Sequence, residues 1–281
     1  MLCYARNELR FYSLFAPDLV ALGVPLAACL KVVDSLDAMG EQQICDDPGP
    51  IPENAALASL GGVLFLEVLP PTQYHQKSPL TLAEATTTLS ALAKFHAACW
   101  QNVPLLSKMA AELGPAGSYT LKNRNPLELG KIEGNWEKFS TAFGALGGEF
   151  LAQPQVVAFG SRLRKAAEWV ASELECSPTT AAATAQHGDY KAMNVFLPLA
   201  PGGAAVLIDF ASTGCGLGMC DVAMHLLHAV SPADRAGGGE EALVAAYLEE
   251  LERGGAVAYE RSEAERVLDL GVIDYARFMV G

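Results

Sequence analysis

The sequence predicts an α+β architecture in two unequal parts, and three observations carry it. Apolar, strand-like runs cluster before residue 70, at VPLAACLKVVD (24–34) and GGVLFLEVL (61–69). Alanine- and leucine-rich segments with helical spacing dominate after Pro79. One short hairpin interrupts them, signalled by Pro201-Gly202-Gly203 between two apolar runs. The expected division is 1–72, containing the first strands, and 73–281, mainly helical.

Taken in order, Leu9, Tyr12 and Phe15 recur at helical spacing over residues 5–15, and Pro17 is expected to end that helix. The 24–34 run reads as a strand, followed by an Asp-, Gly- and Pro-rich loop over 34–54. The 61–69 run is a second strand, closed by Pro70-Pro71, and the two pair most simply as a hairpin with a long connection. Thr81 and Glu84 form a capping box ahead of a long buried helix over 82–100, with Leu89, Leu92 and Phe95 on its apolar face. Residues 101–135 read as loop-rich, 136–147 and 154–175 as helices, and 177–185 (SPTTAAATA) as a small-residue linker. Short strands are expected over 194–199 and 205–210. Everything past Met219 reads as helix, broken at Pro232 and at 237–239.

The 281 residues are 51% apolar types and 18% charged, which suits a sizeable core and excludes a disordered chain. Nineteen basic against thirty-two acidic residues leave a net charge of −13. Such a surface repels phosphate backbones and anionic lipid, arguing against nucleic-acid and membrane partners, and an anionic ligand needs a local cation or metal. Seven scattered cysteines, without a Cys-x-x-Cys pair or zinc spacing, read as free thiols of a reducing compartment. No apolar run reaches the ~18 residues of a spanning helix, and no basic leader precedes a cleavage site, so a cytoplasmic monomer is expected.

The informative segment is His187-Gly188-Asp189-Tyr190-Lys191-Ala192-Met193-Asn194, with Ile208-Asp209-Phe210 beginning fourteen residues after Asn194. A turn ending in Asn194 enters one strand, and the hairpin returns the chain so that Asp209 lies beside it. An amide oxygen with a carboxylate is the hard-oxygen set that suits Mg²⁺, which takes further ligands from water and phosphate. Asp189 could accept a proton from an attacking hydroxyl, and Lys191 could place positive charge on a transferring phosphoryl group. These are the parts that phosphoryl transfer needs. An isolated His-Gly-Asp is more often a turn capped by Asp; the Asp-x-Lys-x-x-Asn spacing and the later strand-Asp-Phe are independent requirements met together.

HGDYKAMN followed by VLIDF resembles the catalytic and metal-binding loops of the aminoglycoside phosphotransferase and choline-kinase-like superfamily, most nearly its ecdysteroid-kinase-like (CHK-kinase-like) branch. Asn7-Glu8-Leu9-Arg10-Phe11-Tyr12 resembles that branch's helix C, Leu64-Phe65-Leu66-Glu67-Val68-Leu69 its hinge, and 92–100 (LAKFHAACW) its L-A-x-x-H-A-x-x-W helix. The resemblance implies a protein-kinase-like two-lobe fold, with residues 1–72 a partial N-lobe and 73–281 a helical C-lobe. It implies ATP and Mg²⁺ as cofactors and a small-molecule hydroxyl as acceptor. Position by position, Asp189 becomes the catalytic base, Lys191 a γ-phosphate contact, and Asn194 and Asp209 the metal ligands. Glu67, Val68 and Leu69 would hold the nucleotide's base through backbone groups, while His187, Asp221 and Glu8 would support the site.

The family's glycine-rich loop and strand lysine precede helix C, whereas this chain starts almost at helix C, so Glu8 lacks its expected lysine partner. Lys31 follows the helix on the wrong strand. The expectation is a chain truncated at both ends and a weak kinase as it stands, with exposed apolar edges on the 24–33 and 61–69 strands. A catalytically inactive pseudokinase or binding module is the alternative. Gly214-Cys215-Gly216-Leu217-Gly218 has GxGxG spacing, and reads as a flexible loop before a helix and not as a dinucleotide site. His225 and His228 read as ordinary helix residues, and His96 with Trp100 as core.

Overall fold

The computed structural model describes residues 2–34, 61–124, 126–256 and 259–281. Beyond Asp34, the loop expected over 34–54 lies outside these residues, as does Cys45. Helix α1 (Leu2–Leu14) buries Leu9 and Tyr12, which its periodicity marks, together with Phe11, and Phe15 is buried just past its end. As expected, α1 ends ahead of Pro17, and no loop begins at Pro17. It occupies the first turn of α2 (Ala16–Ala21), where a missing N–H has no helical partner to lose.

Strands β1 (Cys29–Asp34) and β2 (Gly62–Leu66) pair antiparallel, with Val32 opposite Leu64. Val32, Leu64 and Leu66 pack on the core, while Leu30, Val33, Val63 and Phe65 are exposed. The first strand is shorter than expected because residues 24–28 run alongside the later hairpin, where Leu26 bridges Leu207. Strand β3 (Tyr74–His75) leads to α3 (Leu82–Cys99), whose capping box is formed: Thr81 N–H donates to Glu84 Oε2 at 2.8 Å and Glu84 N–H to Thr81 Oγ1 at 3.4 Å.

The expected loop over 101–135 contains helix α4 (Val103–Glu112), started by the Asn102 side chain accepting Leu105 N–H with Pro104 in the first turn. Helices α5 (Ile132–Ala142), α6 (Gly144–Leu151), α7 (Pro154–Val157) and α8 (Phe159–Glu173) follow. The linker expected over 177–185 ends in a fully buried strand, β4 (Ala183–Gln186). The hairpin strands β5 (Val195–Pro198) and β6 (Val206–Leu207) are shorter than predicted and join β3 in one sheet, in the order β3-β5-β6.

The Gly214 segment is not a flexible loop but strand β7 (Gly214–Leu217), paired antiparallel with β4 from Ala183–Leu217 to Gln186–Gly214. Glycine is required there by close approach: a Cβ on Gly214 would lie 2.6 Å from the Gly114 carbonyl oxygen. Helices α9 (Gly218–Ala229), α10 (Pro232–Arg235), α11 (Gly239–Arg253) and α12 (Arg261–Val280) complete the α+β architecture. One core runs through the fold, from Phe11 and Tyr12 through Phe95 and Phe210 to Tyr247 and Val267. Among the described residues no helix is long and apolar enough to cross a membrane.

Candidate active site

Strand β4 delivers the chain into His187-Gly188-Asp189 from inside the core. Gly188 has φ +81°, and a Cβ there would lie 2.1 Å from the Ser212 carbonyl oxygen, so only glycine fits the turn. Behind it sits Asp221, fully buried in the first turn of α9. Its Oδ2 accepts the His187 N–H at 2.6 Å and its Oδ1 the Gly188 N–H at 2.8 Å. His96 Nε2 donates to Oδ2 at 3.1 Å, and His96 Nδ1 accepts from the Tyr247 hydroxyl at 2.8 Å. A buried carboxylate with three donors is the condition under which its burial is tolerable, and here it pins two successive backbone amides.

One neutral tautomer of His187 serves two partners. Its Nε2–H donates to the Ile208 carbonyl at 3.0 Å, and its Nδ1 accepts the Asp189 N–H at 3.3 Å. Burial depresses its pKa, which agrees with that tautomer. The Thr213 hydroxyl donates to the His187 carbonyl at 3.1 Å, joining the two functional loops a second time.

On the open side, Asp189 Oδ2 receives Lys191 Nζ at 2.8 Å and Asn194 Nδ2 at 3.1 Å; Asn194 Nδ2 also donates to the Asp189 carbonyl at 2.8 Å. Among the described residues no hydrogen bond reaches Asp189 Oδ1. With its amide nitrogen turned to Asp189, Asn194 keeps its side-chain oxygen out of that pairing. Asn194 ends a single 3₁₀ turn, and its carbonyl accepts the Ile208 N–H at 3.1 Å, which brings Asp209 to the same end of the hairpin.

Asp209 has φ +65°, a left-handed conformation that costs a non-glycine residue about 1 kcal/mol or more and is held by its surroundings. The neighbouring Phe210 ring is fully buried, stacked on Phe11 with centroids 4.0 Å apart and meeting Tyr12, Phe95 and His187. Asn7 fastens the same segment to α1: its Nδ2 donates to the Ala211 and Thr213 carbonyls at 3.0 and 2.8 Å, and its Oδ1 accepts the Gly114 N–H at 2.7 Å. The next residue of α1, Glu8, accepts the Phe210 N–H; burial, then the Asp209 charge, raise its pKa to about 7.

The structure thus brings His187, Asp189, Lys191, Asn194, Asp209, Asp221 and Glu8 into one region. Glu67, Val68 and Leu69 stand outside this network, beyond the end of β2, with Glu67 N–H donated to the Ala28 carbonyl at 2.8 Å. Asn7, His96, Tyr247 and Phe210 are the positioning groups that sequence reasoning missed. Phe210 carried a signal in its place directly after Asp209, and His96 in its place within LAKFHAACW. Among the described residues no group of three or more His, Cys, Asp or Glu side chains converges on a metal. The Asn194 oxygen and Asp209 carboxylate fit a hard divalent ion that draws its remaining ligands from water and substrate phosphates.

A model described as "Phosphotransferase enzyme family" matches residues 4–264. Among solved structures, an aminoglycoside-3'-phosphotransferase of type VIII is 17% identical, covering 94% of this chain and 81% of its own, with a TM-score of 0.41. A protein described as an aminoglycoside phosphotransferase from Ralstonia eutropha JMP134 is 13% identical, covering 98% and 83%, with a TM-score of 0.47. No curated protein matches.

Proposed function

The chain belongs to the phosphotransferase enzyme family, and from that premise we propose that it transfers the γ-phosphoryl group of ATP to a hydroxyl of a small molecule. The observation that carries this reading is the single bonded cluster of Asp189, Lys191 and Asn194, with Asp209 at the same end of the hairpin. In it, Asp189 Oδ1 orients the acceptor hydroxyl and takes its proton as the new oxygen–phosphorus bond forms and the bond from the γ-phosphorus to the bridging oxygen breaks, releasing ADP. Lys191 leaves Asp189 Oδ2 to neutralise charge on the transferring group, and the Asn194 amide keeps that oxygen oriented. Asn194 Oδ1 and Asp209 would hold Mg²⁺, which when bound offsets charge on the β- and γ-phosphates. Asp221 and His187 act by position only, fixing the loop backbone that carries Asp189.

The Glu67 carbonyl and Leu69 amide are the backbone groups proposed for the nucleobase, since the Glu67 N–H already serves Ala28. We assign residues 1–72 to a partial N-lobe and 73–281 to the C-lobe. The LAKFHAACW helix, with His96 against Asp221, supports the CHK-kinase-like branch. The free thiols of the described residues suit a reducing, cytoplasmic setting, with the chain as a monomer.

The test is transfer of labelled phosphate from ATP with Mg²⁺ to a panel of amino-sugar, choline-like and sterol alcohols. Transfer to one acceptor class, abolished by Asp189→Asn, supports the proposal. Nucleotide binding without transfer to any acceptor points to a binding module instead.

A further inference from the structure

The Gly214–Gly218 segment has a second use beyond pairing with β4. Cys215, in the middle of β7, lies opposite Ala185 in the ladder, one residue from the strand end that delivers His187. Cys176 follows α8 and leads into a turn closed by Ser177 N–H to Thr180 Oγ1 at 2.9 Å and Thr180 N–H to the Ser177 carbonyl at 3.0 Å. Both thiols are half-buried and line one cavity of about 340 Å³ with Gln186, Cys220 and Asp274, and Cys176 Sγ donates to the Ser177 carbonyl at 3.6 Å. That cavity's lining includes none of Asp189, Lys191, Asn194 or Asp209, so the pair is separate from the phosphotransferase site. Among the described cysteines, Cys99 and Cys220 are buried.

We propose that Cys176 and Cys215 are a peroxide-responsive dithiol that closes reversibly to a disulfide beside the strand carrying the catalytic loop. The neighbouring Cys176 thiol lowers the pKa of Cys215, and Cys215 raises that of Cys176, which makes Cys215 the attacking thiol. The Cys215 thiolate attacks one oxygen of hydrogen peroxide; the O–O bond breaks, leaving Cys215 sulfenic acid and, after proton uptake, water. Cys176 sulfur then attacks Cys215 sulfur, the S–O bond breaks, and a second water leaves with the Cys176 proton. Two thiols are oxidised by two electrons and one peroxide is reduced. The resulting ring, from 176 to 215, encloses Asp189, Asn194 and Asp209.

Peptide mapping of the native full chain after hydrogen peroxide tests this directly. Trypsin cuts after Lys191, placing the two cysteines on separate peptides. The expected product is one cross-linked species, lighter by two hydrogens than the sum, with fragmentation locating the bond at Cys215 and dithiothreitol reversing it. The oxidised protein should melt roughly 5–10 °C higher. In Cys176→Ser, dimedone should trap Cys215 as sulfenic acid with no link formed. A link to Cys220, or both thiols still alkylatable when Cys3 and Cys29 are oxidised, overturns the proposal. So does a link that forms equally well in urea. None of these readouts depends on phosphotransfer activity.

Discussion

Asp189 binds its neighbours through Oδ2, and the proposed function assigns Oδ1 to substrate, so replacing it should separate chemistry from binding. Asp189→Asn is expected to lower kcat by about 10²–10⁴-fold with Mg-nucleotide affinity near parental, read by steady-state kinetics and calorimetry. Lost affinity with kcat intact would make Asp189 a structural cap. Asp209 should behave in the opposite way. Asp209→Ala is expected to abolish calorimetric Mg-nucleotide binding, and equal affinity in variant and parent would defeat its assignment as a ligand. Asp209→Gly adds a second readout, because φ +65° suits glycine and not aspartate. That variant should lose nucleotide binding yet melt a few degrees higher, by relief of about 1 kcal/mol of backbone strain. A lower melting point would show that the Asp209 side chain stabilises the segment it strains.

The seam between α9 and α3 carries a pH dependence of its own. His225 is fully buried on α9, with Thr88 Oγ1 2.8 Å from Nε2 and the Tyr190 carbonyl 3.3 Å from Nδ1. Burial lowers its pKa from the ordinary 6.5 to about 4. The folded pKa is depressed, so its full contribution is present above pH 6.5. It is lost as pH falls toward 4, while the unfolded chain takes up the proton and the fold does not. The loss attributable to His225 is about 3 kcal/mol. Thermal melts of His225→Gln should therefore be less acid-sensitive than the parent's over that window; parallel curves would reject the assignment. The turn that leaves β4 gives the other prediction at this scale. Gly188→Ala should cost about 2–3 kcal/mol in urea unfolding, since it strains φ and meets the Ser212 carbonyl. These same elements mark where the sequence is hardest to read. Strands β4 (Ala-Thr-Ala-Gln) and β7 (Gly-Cys-Gly-Leu) are short, mostly buried and made largely of small residues, so neither alternates and both look like loop. Helix α4 was hidden by Pro104, which reads as a breaker but serves as a starter. Asp-x-Lys-x-x-Asn was legible because its chemistry is local. The long-range partners of its supports were not: His96 meets Asp221 across 125 residues, and Asn7 meets Thr213 across 206.

Over the whole molecule, the net charge of −13 opposes an anionic nucleotide, and the Lys191 ammonium is already paired with Asp189. Raising ionic strength from about 0.01 to 0.15 M shortens the Debye length from roughly 30 to 8 Å. Stopped-flow association of a fluorescent Mg-nucleotide should accelerate about 2–5-fold over that range. Slowing would mean that a local positive field outweighs the global charge. The latch on the catalytic loop also has an order in time, set by the direction of synthesis. His187 leaves the ribosome with Asp221 still 34 residues behind it. The last fastening is later again: buried Arg277 on α12 bonds Asp274 Oδ1 at 2.7 Å and donates to the carbonyl of Tyr119, whose hydroxyl accepts from Gln186 at the end of β4. Ninety residues separate His187 from Arg277. At roughly 5–20 residues per second, the nascent chain carries an unlatched catalytic loop for about 5–18 s. Until β7 emerges, β4 presents an unpaired edge, so this interval is when a chaperone has most to protect.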